Sequence, residues 1–319
     1  RLTDVTGVQT CALPISMFKQ NPRLTGRGPE RGPQEGRFHW SYAAGAGFNS
    51  DSAAVDAWGR IYAGSDDNRL YAIMDDAIFA WSYETGDDVL SAPFVDPDRT
   101  VYFGSNDGRL YCLDPTGGMQ WSYELAGMIN APPIPGPGNR LYAGSNSLFC
   151  LTTGGGLQWS YDSPGWVTTA AAVQSDGSVY VGDGATAFWG LESSGAMRWS
   201  YHTAAAISTS AAIGSGGDIY FGSGDGILRS LNAMGALTWS YAAATHYRSS
   251  PALDMDDTVY IGSLSNALYS FAPTGALRWS YATPNDVDTS PAIGDDGLVY
   301  ATALQDRKST RLNSSHVSQ

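Results

Sequence analysis

The chain has 319 residues, 43% of them hydrophobic and 12% aromatic, with 38 glycines; this composition excludes a disordered tail or a coiled coil, and no run of 18 apolar residues is present to span a bilayer. Eighteen basic residues against 31 acidic ones give a formal charge of −13, with lysine only at Lys19 and Lys308, so no basic stripe is available for a nucleic-acid backbone. The three cysteines, Cys11, Cys112 and Cys150, form neither a disulfide framework nor a paired metal-ligand motif.

In chain order, residues 1–16 share no motif with the rest of the chain, and neither do residues 306–319. Both strings resemble translated sequencing-adapter read-through and are expected to be artefactual tails, with genuine polar tails as the alternative. Residues 17–36 form a lead-in segment, and residues 37–305 are a repeat. The triplet Trp-Ser-Tyr begins at Trp40, Trp81, Trp121, Trp159, Trp199, Trp239 and Trp279, at spacings of 41, 40, 38, 40, 40 and 40. A second marker runs in phase: Tyr62, Tyr102, Tyr142, Tyr180, Tyr220, Tyr260 and Tyr300, each preceded by Val, Ile or Leu, and in the first six units followed two residues later by Gly. A fixed period of this length sets the architecture before any local reading does.

Each unit reads as four short strands. The first is a small-residue segment such as Ser249-Ser250-Pro251-Ala252-Leu253, closed by an Asp/Gly turn. Val101 to Ser105 typifies the second, and Asn106-Asp107-Gly108 supplies the residues of a tight hairpin. Leu110-Tyr111-Cys112-Leu113 is the third, and after Pro115-Thr116-Gly117 the fourth runs from Met119 to Tyr123. Strict alternation predicts that Leu237, Trp239 and Tyr241 share one face of a fourth strand, opposite Thr238 and Ser240.

Four antiparallel strands per 40 residues, with no helical period, predict an all-β chain whose units are blades of a β-propeller. A lone blade cannot bury its Trp and Tyr face, so the units must stack. Phe38 to Tyr42 is a fourth strand with no first three before it, and residues 289–304 supply a first and second strand. Joined in one sheet, these pieces would close a seventh blade beside six complete ones; eight blades are the alternative count.

The Ser-Pro-Ala first strand, the Val-Tyr-x-Gly-Ser second strand, the Asp-Gly hairpin, Leu-Tyr-x-Leu and Thr-Gly-x-x-x-Trp together resemble the PQQ-like (pyrroloquinoline quinone) β-propeller repeat family over residues 37–304. That family holds quinone-dependent dehydrogenases and non-catalytic relatives, including the BamB-like branch of outer-membrane assembly and sensory ectodomains of bacterial kinases, so fold does not decide function. The enzymes of the family imply eight blades, adjacent cysteines over the quinone, calcium ligands and a catalytic Asp. This chain has no Cys-Cys pair, and its interval from Asp114 to Trp121 is one residue shorter than the enzymes' docking motif. Cys112 and Cys150 stand where other units have Ala72, Gly190, Ser230 or Ser270.

Loops joining fourth to first strands are the most variable part of the repeat, and on a repetitive scaffold loops carry recognition. Trp166, Tyr247 and Arg248 are the preferred recognition residues, by stacking and charge-assisted hydrogen bonding, with Asp88, Asn130, His246, Asp286 and Asp288 beside them. Plain solvated loops are the alternative reading of the same residues. The seven repeated Trp residues suggest a carbohydrate platform, but their regular spacing and the apolar residue two positions before each favour packing between blades. Asp-rich turns such as Asp254-Met255-Asp256-Asp257 lack the ligand series of a calcium loop, and His39, His202 and His246 have no metal-ligand spacing.

The expected function is therefore a non-catalytic, monomeric binding or scaffolding module for a protein, peptide or envelope component. No catalytic residue, metal or cofactor is expected, and the family implies a periplasmic or extracellular location. A truncated quinoprotein dehydrogenase, with calcium and PQQ held by Asp88, Asp286 or Asp288, is the alternative, as is the ectodomain of a larger signalling protein.

Overall fold

The computed structural model describes residues 5–6, 21, 23–24, 40–48, 52–242, 245–294, 297–303 and 314–317. The chain forms two compact units, one of residues 1–18 and 30–170, the other of residues 19–29 and 171–319. The first unit holds three four-stranded antiparallel sheets spanning residues 54–84, 94–124 and 134–161, here sheets 1 to 3. The second holds sheets 4 to 6, spanning residues 172–202, 212–242 and 252–282, and a three-stranded sheet 7. Strand order within every sheet follows chain order. No described helix is long and apolar enough to cross a membrane.

Sheet 2 shows how the repeat folds. Its strands are Phe94–Val95, Val101–Gly104, Arg109–Leu113 and Met119–Glu124. Asp96 shapes the first turn by accepting from the backbone N–H of Asp98 and Thr100, each at 2.9 Å. Asp56 and Asp254 do the same in sheets 1 and 6, and also accept from the hydroxyls of Tyr62 and Tyr260 at 3.1 and 3.0 Å. These carboxylates are thus engaged in turn and strand bonding.

Within each unit, the Trp-Ser-Tyr strands of sheets 1, 2, 4 and 5 pack on the next sheet in the chain. Trp81, Trp121, Trp199 and Trp239 donate their indole N–H to the backbone carbonyls of Pro115, Thr153, Ala233 and Pro273, at 3.1, 3.0, 3.0 and 2.8 Å. Those carbonyls lie in the turn between the third and fourth strands of the next sheet. The core between sheets 1 and 2 joins Tyr62, Leu70, Val89, Val101, Phe103, Tyr111 and Leu113, with Trp81 and Tyr83 packed against it.

Strict alternation fails at one point of the fourth strand. Pairing slips between Ser230 and Leu231, which lie opposite Trp239 and Leu237, so Thr238 is an extra residue. The same bulge recurs in sheets 1 to 6. It throws Leu237 out of phase with Trp239, and the expected shared face is corrected: Phe79, Met119, Leu157, Met197, Leu237 and Leu277 are 43–54% exposed, while the Trp residues are half-buried.

The two ends also differ from the expected closure. Ser41–Tyr42 pairs with Val5–Thr6, and sheet 7 consists of Ala292–Ile293, Val299–Thr302 and Ser314–Val317. The N-terminal strand thus pairs with Val5–Thr6, and Val299–Thr302 takes its third-strand partner from Ser314–Val317. Segments expected to stand outside the fold as tails thus contribute one strand at each end. Tyr42 still packs as a fourth-strand Tyr does, its ring 6.0 Å from that of Tyr71 in sheet 1, and Trp40 donates to the carbonyl of Asp75. Phe38, His39 and Leu304 lie outside the described residues. In the lead-in, the Arg23 carbonyl accepts from Ile213 N–H at 3.0 Å and Leu24 is buried.

Candidate functional site

The fourth-to-first loops share one plan, a buried residue between two outward ones. The buried residues are Val89, Ile129, Val167, Ile207, Tyr247 and Val287. Each sits on the glycine of the second strand before it: a Cβ added to Gly64, Gly104, Gly144, Gly182, Gly222 or Gly262 would come within 2.2 to 2.5 Å of that residue. This close approach is why the repeat places Gly two residues after its marker Tyr. The backbone N–H of Val89, Ile129, Val167, Tyr247 and Val287 donates to the carbonyls of Ser65, Ser105, Ser145, Ser223 and Ser263 at 2.8 to 3.3 Å. Just after the loop, Ser91, Thr209 and Ser249 accept from the N–H of Gly104, Gly222 and Gly262 at 2.7 to 3.0 Å. The loops are therefore held at both ends.

In the first unit, this plan presents Asp88, Asn130 and Trp166 on successive loops. Trp166 is 49% exposed, and its ring has no aromatic or cation–π partner among the described residues. Asn130 is half-buried, and its Oδ1 has no hydrogen-bond partner there. Asp88 is half-buried; desolvation, then the crowding of Asp66, Asp87 and Asp67, raises its carboxyl above the ordinary value.

In the second unit, Ser208, Arg248 and Asp288 occupy the same position of three successive loops. Arg248 is exposed and makes no ion pair among the described residues. Asp286 and Asp288 flank buried Val287, and Asp288 Oδ1 is buried without a hydrogen-bond partner among the described residues. His246 is exposed, with Nδ1 on the Gly224 carbonyl.

Tyr247 requires a correction. Expected as a stacking residue, it is 0% exposed and belongs to the core between sheets 5 and 6 with Tyr220, Leu228, Ile261 and Phe271. It holds the position of Val89 and Ile129, so the scaffold and not the loop surface uses it. Burial first, then Tyr269 and Tyr241, raises its hydroxyl, which has no hydrogen-bond partner among the described residues.

Sequence reasoning missed a pair beneath this loop. Arg229 stands where other third strands carry Tyr71, Tyr111, Phe149, Trp189 or Tyr269, and that substitution was the available signal. Its Nη2 lies 2.6 Å from Asp225 Oδ2, both side chains being buried, and Nη1 reaches Ser223 Oγ at 2.7 Å. In sheets 1 and 2, Asp67 and Asp107 instead accept from Tyr71 and Tyr111 at 2.6 Å. Desolvation would raise the Asp225 carboxyl, but hydrogen bonds from Arg229, Ser223 and the Ala204 N–H hold it at about 2. The hairpin that carries this pair also receives Tyr247 N–H and His246 Nδ1, so the ion pair props the His246–Arg248 loop.

The arrangement offers charge-assisted and aromatic contacts on rigid supports. Cys112 and Cys150 are buried in third strands of different sheets. Burial pushes their thiols up, to about 12 and about 11.

Comparison with solved structures gives BamB from Moraxella catarrhalis, at a TM-score of 0.72 and 18% identity over 95% of each chain. A europium-containing methanol dehydrogenase matches at a TM-score of 0.71 and 11% identity, over 92% of this chain and 90% of the other. At these identities the likeness is one of fold alone. No curated protein sequence matches the chain. The family profile described as outer membrane protein assembly factor BamB matches residues 31–126, 106–251 and 224–316. With its seven sheets and phased repeats, the chain is a PQQ-like β-propeller and belongs to that family.

Proposed function

We propose that this propeller is a non-catalytic module that holds a protein or peptide of the cell envelope, in the periplasm or outside the cell, through its fourth-to-first loops. One observation carries the reading: six loops share a buried apolar or aromatic centre, five of them with the same backbone hydrogen bond, and differ most in the residues turned outward. A scaffold that keeps the frame and changes the tips is built for recognition. Trp166 in one unit, and Arg248 with Asp286 and Asp288 in the other, supply the contacts, with Asp88 and Asn130 beside Trp166. Family membership supports an envelope partner.

A photo-crosslinking residue placed at 166 or 248, in cells of the source organism, tests this. Adducts with one or few envelope proteins at each position, absent from a control at exposed Met255, are expected. Calcium-dependent quenching of Trp fluorescence by PQQ, with reduction of an electron-accepting dye in the presence of an alcohol, would overturn it in favour of a dehydrogenase.

A further inference from the structure

Sheet 1 departs from the other five four-stranded sheets at one end. Its pairing runs Val55, Ile61, Ile73 and Phe79 across the four strands. The turns of residues 56–60 and 74–78 both lie beyond that row, about one strand spacing of 5 Å apart. The fourth-to-first loop of this sheet lies at the opposite end, beyond the row Ser65, Arg69 and Glu84.

Three large apolar side chains occupy turn positions that are small or polar elsewhere. Trp58 stands where sheets 2, 4, 5 and 6 have Asp98, Asp176, Gly216 and Asp256. Met74 replaces Asp114, Glu192, Asn232 and Ala272 of those sheets, and Ile78 replaces Gly118, Ala196, Ala236 and Ala276. Trp58 is 64%, Ile78 60% and Met74 38% exposed, and exposed Phe79 adjoins them.

The turns hold these groups in place. Asp56 Oδ1 accepts from Trp58 N–H at 2.9 Å, Asp76 Oδ1 accepts from Ile78 N–H at 3.2 Å, and Met74 N–H donates to the Ile78 carbonyl at 2.9 Å. The Arg99 guanidinium, from the matching turn of sheet 2, lies 4.4 Å from the centroid of the Trp58 ring, a cation–π contact on one face of the indole. The exposed charges of these three turns are all acidic: Asp75, Asp76 and Asp98.

We propose that this end of sheet 1 is a second docking surface, for a segment of a partner protein that carries apolar or aromatic residues among lysines and arginines. Large side chains on fixed turns supply the contact area, and an exposed apolar patch with a polar rim marks an interface. The rim selects the occupant. Asp75, Asp76 and Asp98 complement a basic segment, whereas a second copy of this chain, at a formal −13, meets like charge, as does an anionic membrane.

The test uses the full chain and a fluorescein-labelled peptide, Gly-Lys-Leu-Trp-Lys-Lys-Ile-Phe-Lys-Gly, read by anisotropy. Saturable binding is expected, about tenfold weaker in Trp58→Ser with Ile78→Ser. Asp75→Lys with Asp98→Lys should weaken it about fivefold and flatten its salt dependence. All four side chains are exposed, and thermal unfolding checks that both variants fold. Met197→Ser, at the start of the fourth strand of sheet 4, and Trp166→Ala, on a fourth-to-first loop, should leave binding unchanged. Equal binding of a peptide whose apolar residues are serines, full binding by the folded Trp58/Ile78 variant, or loss of binding in Trp166→Ala would each overturn the proposal. Self-association, or adsorption to phosphatidylcholine vesicles, that replaces peptide binding and is abolished by the Trp58/Ile78 variant would overturn it in favour of a second copy or a lipid surface.

Discussion

A Cβ on Gly222 would lie 2.5 Å from the Cβ of Tyr247, so the strand and the loop after it pack with no space for a side chain between them. Gly222→Ala is therefore expected to cost more than about 2 kcal/mol, since real Cβ contacts do not reach that distance. Tyr247→Phe should do the opposite. The hydroxyl is buried with no partner among the described residues, and removing an unsatisfied buried polar group stabilises by about 1 kcal/mol. Urea unfolding of both variants checks the pair; a destabilised Tyr247→Phe would mean the hydroxyl has a partner.

The contrast between Tyr247 and its neighbours shows how far the sequence could be read. Strands, turns and stacking follow from seven phased copies, because period and turn chemistry act locally. Tyr247 misleads when one loop is read alone; aligned with Val89, Ile129, Val167, Ile207 and Val287 it falls in the buried column. The bulge before each Trp is not visible in a pattern of alternating residues, since it inserts one residue without a Gly or Pro to mark it. Pairing of Val299–Thr302 with Ser314–Val317 has no repeat motif behind it, so it is not legible at all.

Arg229 and Asp225 replace a Tyr–Asp pair, and the exchange should be reversible. Arg229→Tyr is expected to stay within about 1 kcal/mol of the parent, as Tyr71 and Tyr111 already bond Asp67 and Asp107. Arg229→Leu leaves a buried carboxylate unpaired and should cost about 3 kcal/mol at neutral pH. Thermal unfolding separates the two outcomes.

The same pair sets an acid dependence. The Asp225 carboxyl is lowered in the folded chain to about 2 from an ordinary 3.8. A depressed folded value gives stability that is present above the unfolded value and lost as pH falls through the folded one. With Arg229 gone, desolvation lifts the Asp225 carboxyl above its ordinary value, so the gap between parent and Arg229→Leu should shrink as pH falls from that raised value toward about 2. A gap independent of pH would assign the loss to packing alone.

Cys112 and Cys150 are buried, and burial raises their thiols to about 12 and about 11. Thiolate, not thiol, attacks a disulfide reagent. With Cys11→Ser removing the third cysteine, an aromatic disulfide reagent at about pH 8 should titrate no thiol in the native chain and two after guanidinium unfolding. Fast native labelling would show that sheets 2 and 3 open.

Gly117 and Gly138 separate two reasons for glycine at a positive φ. Gly117 has φ +88°, and a Cβ there would lie 2.8 Å from the Trp81 ring; Gly138 has φ +76° and nothing within 4 Å. Gly138→Ala carries only the left-handed backbone cost, about 1 kcal/mol. Gly117→Ala adds an overlap with the indole that docks one sheet on the next, and should cost about 2–4 kcal/mol. Trp81→Leu removes the indole and its 3.1 Å bond to Pro115, so Gly117→Ala in that background should fall to the Gly138→Ala value. If the two glycine variants cost the same in the parent, the turn glycine serves the backbone alone and the Trp docking does not depend on it.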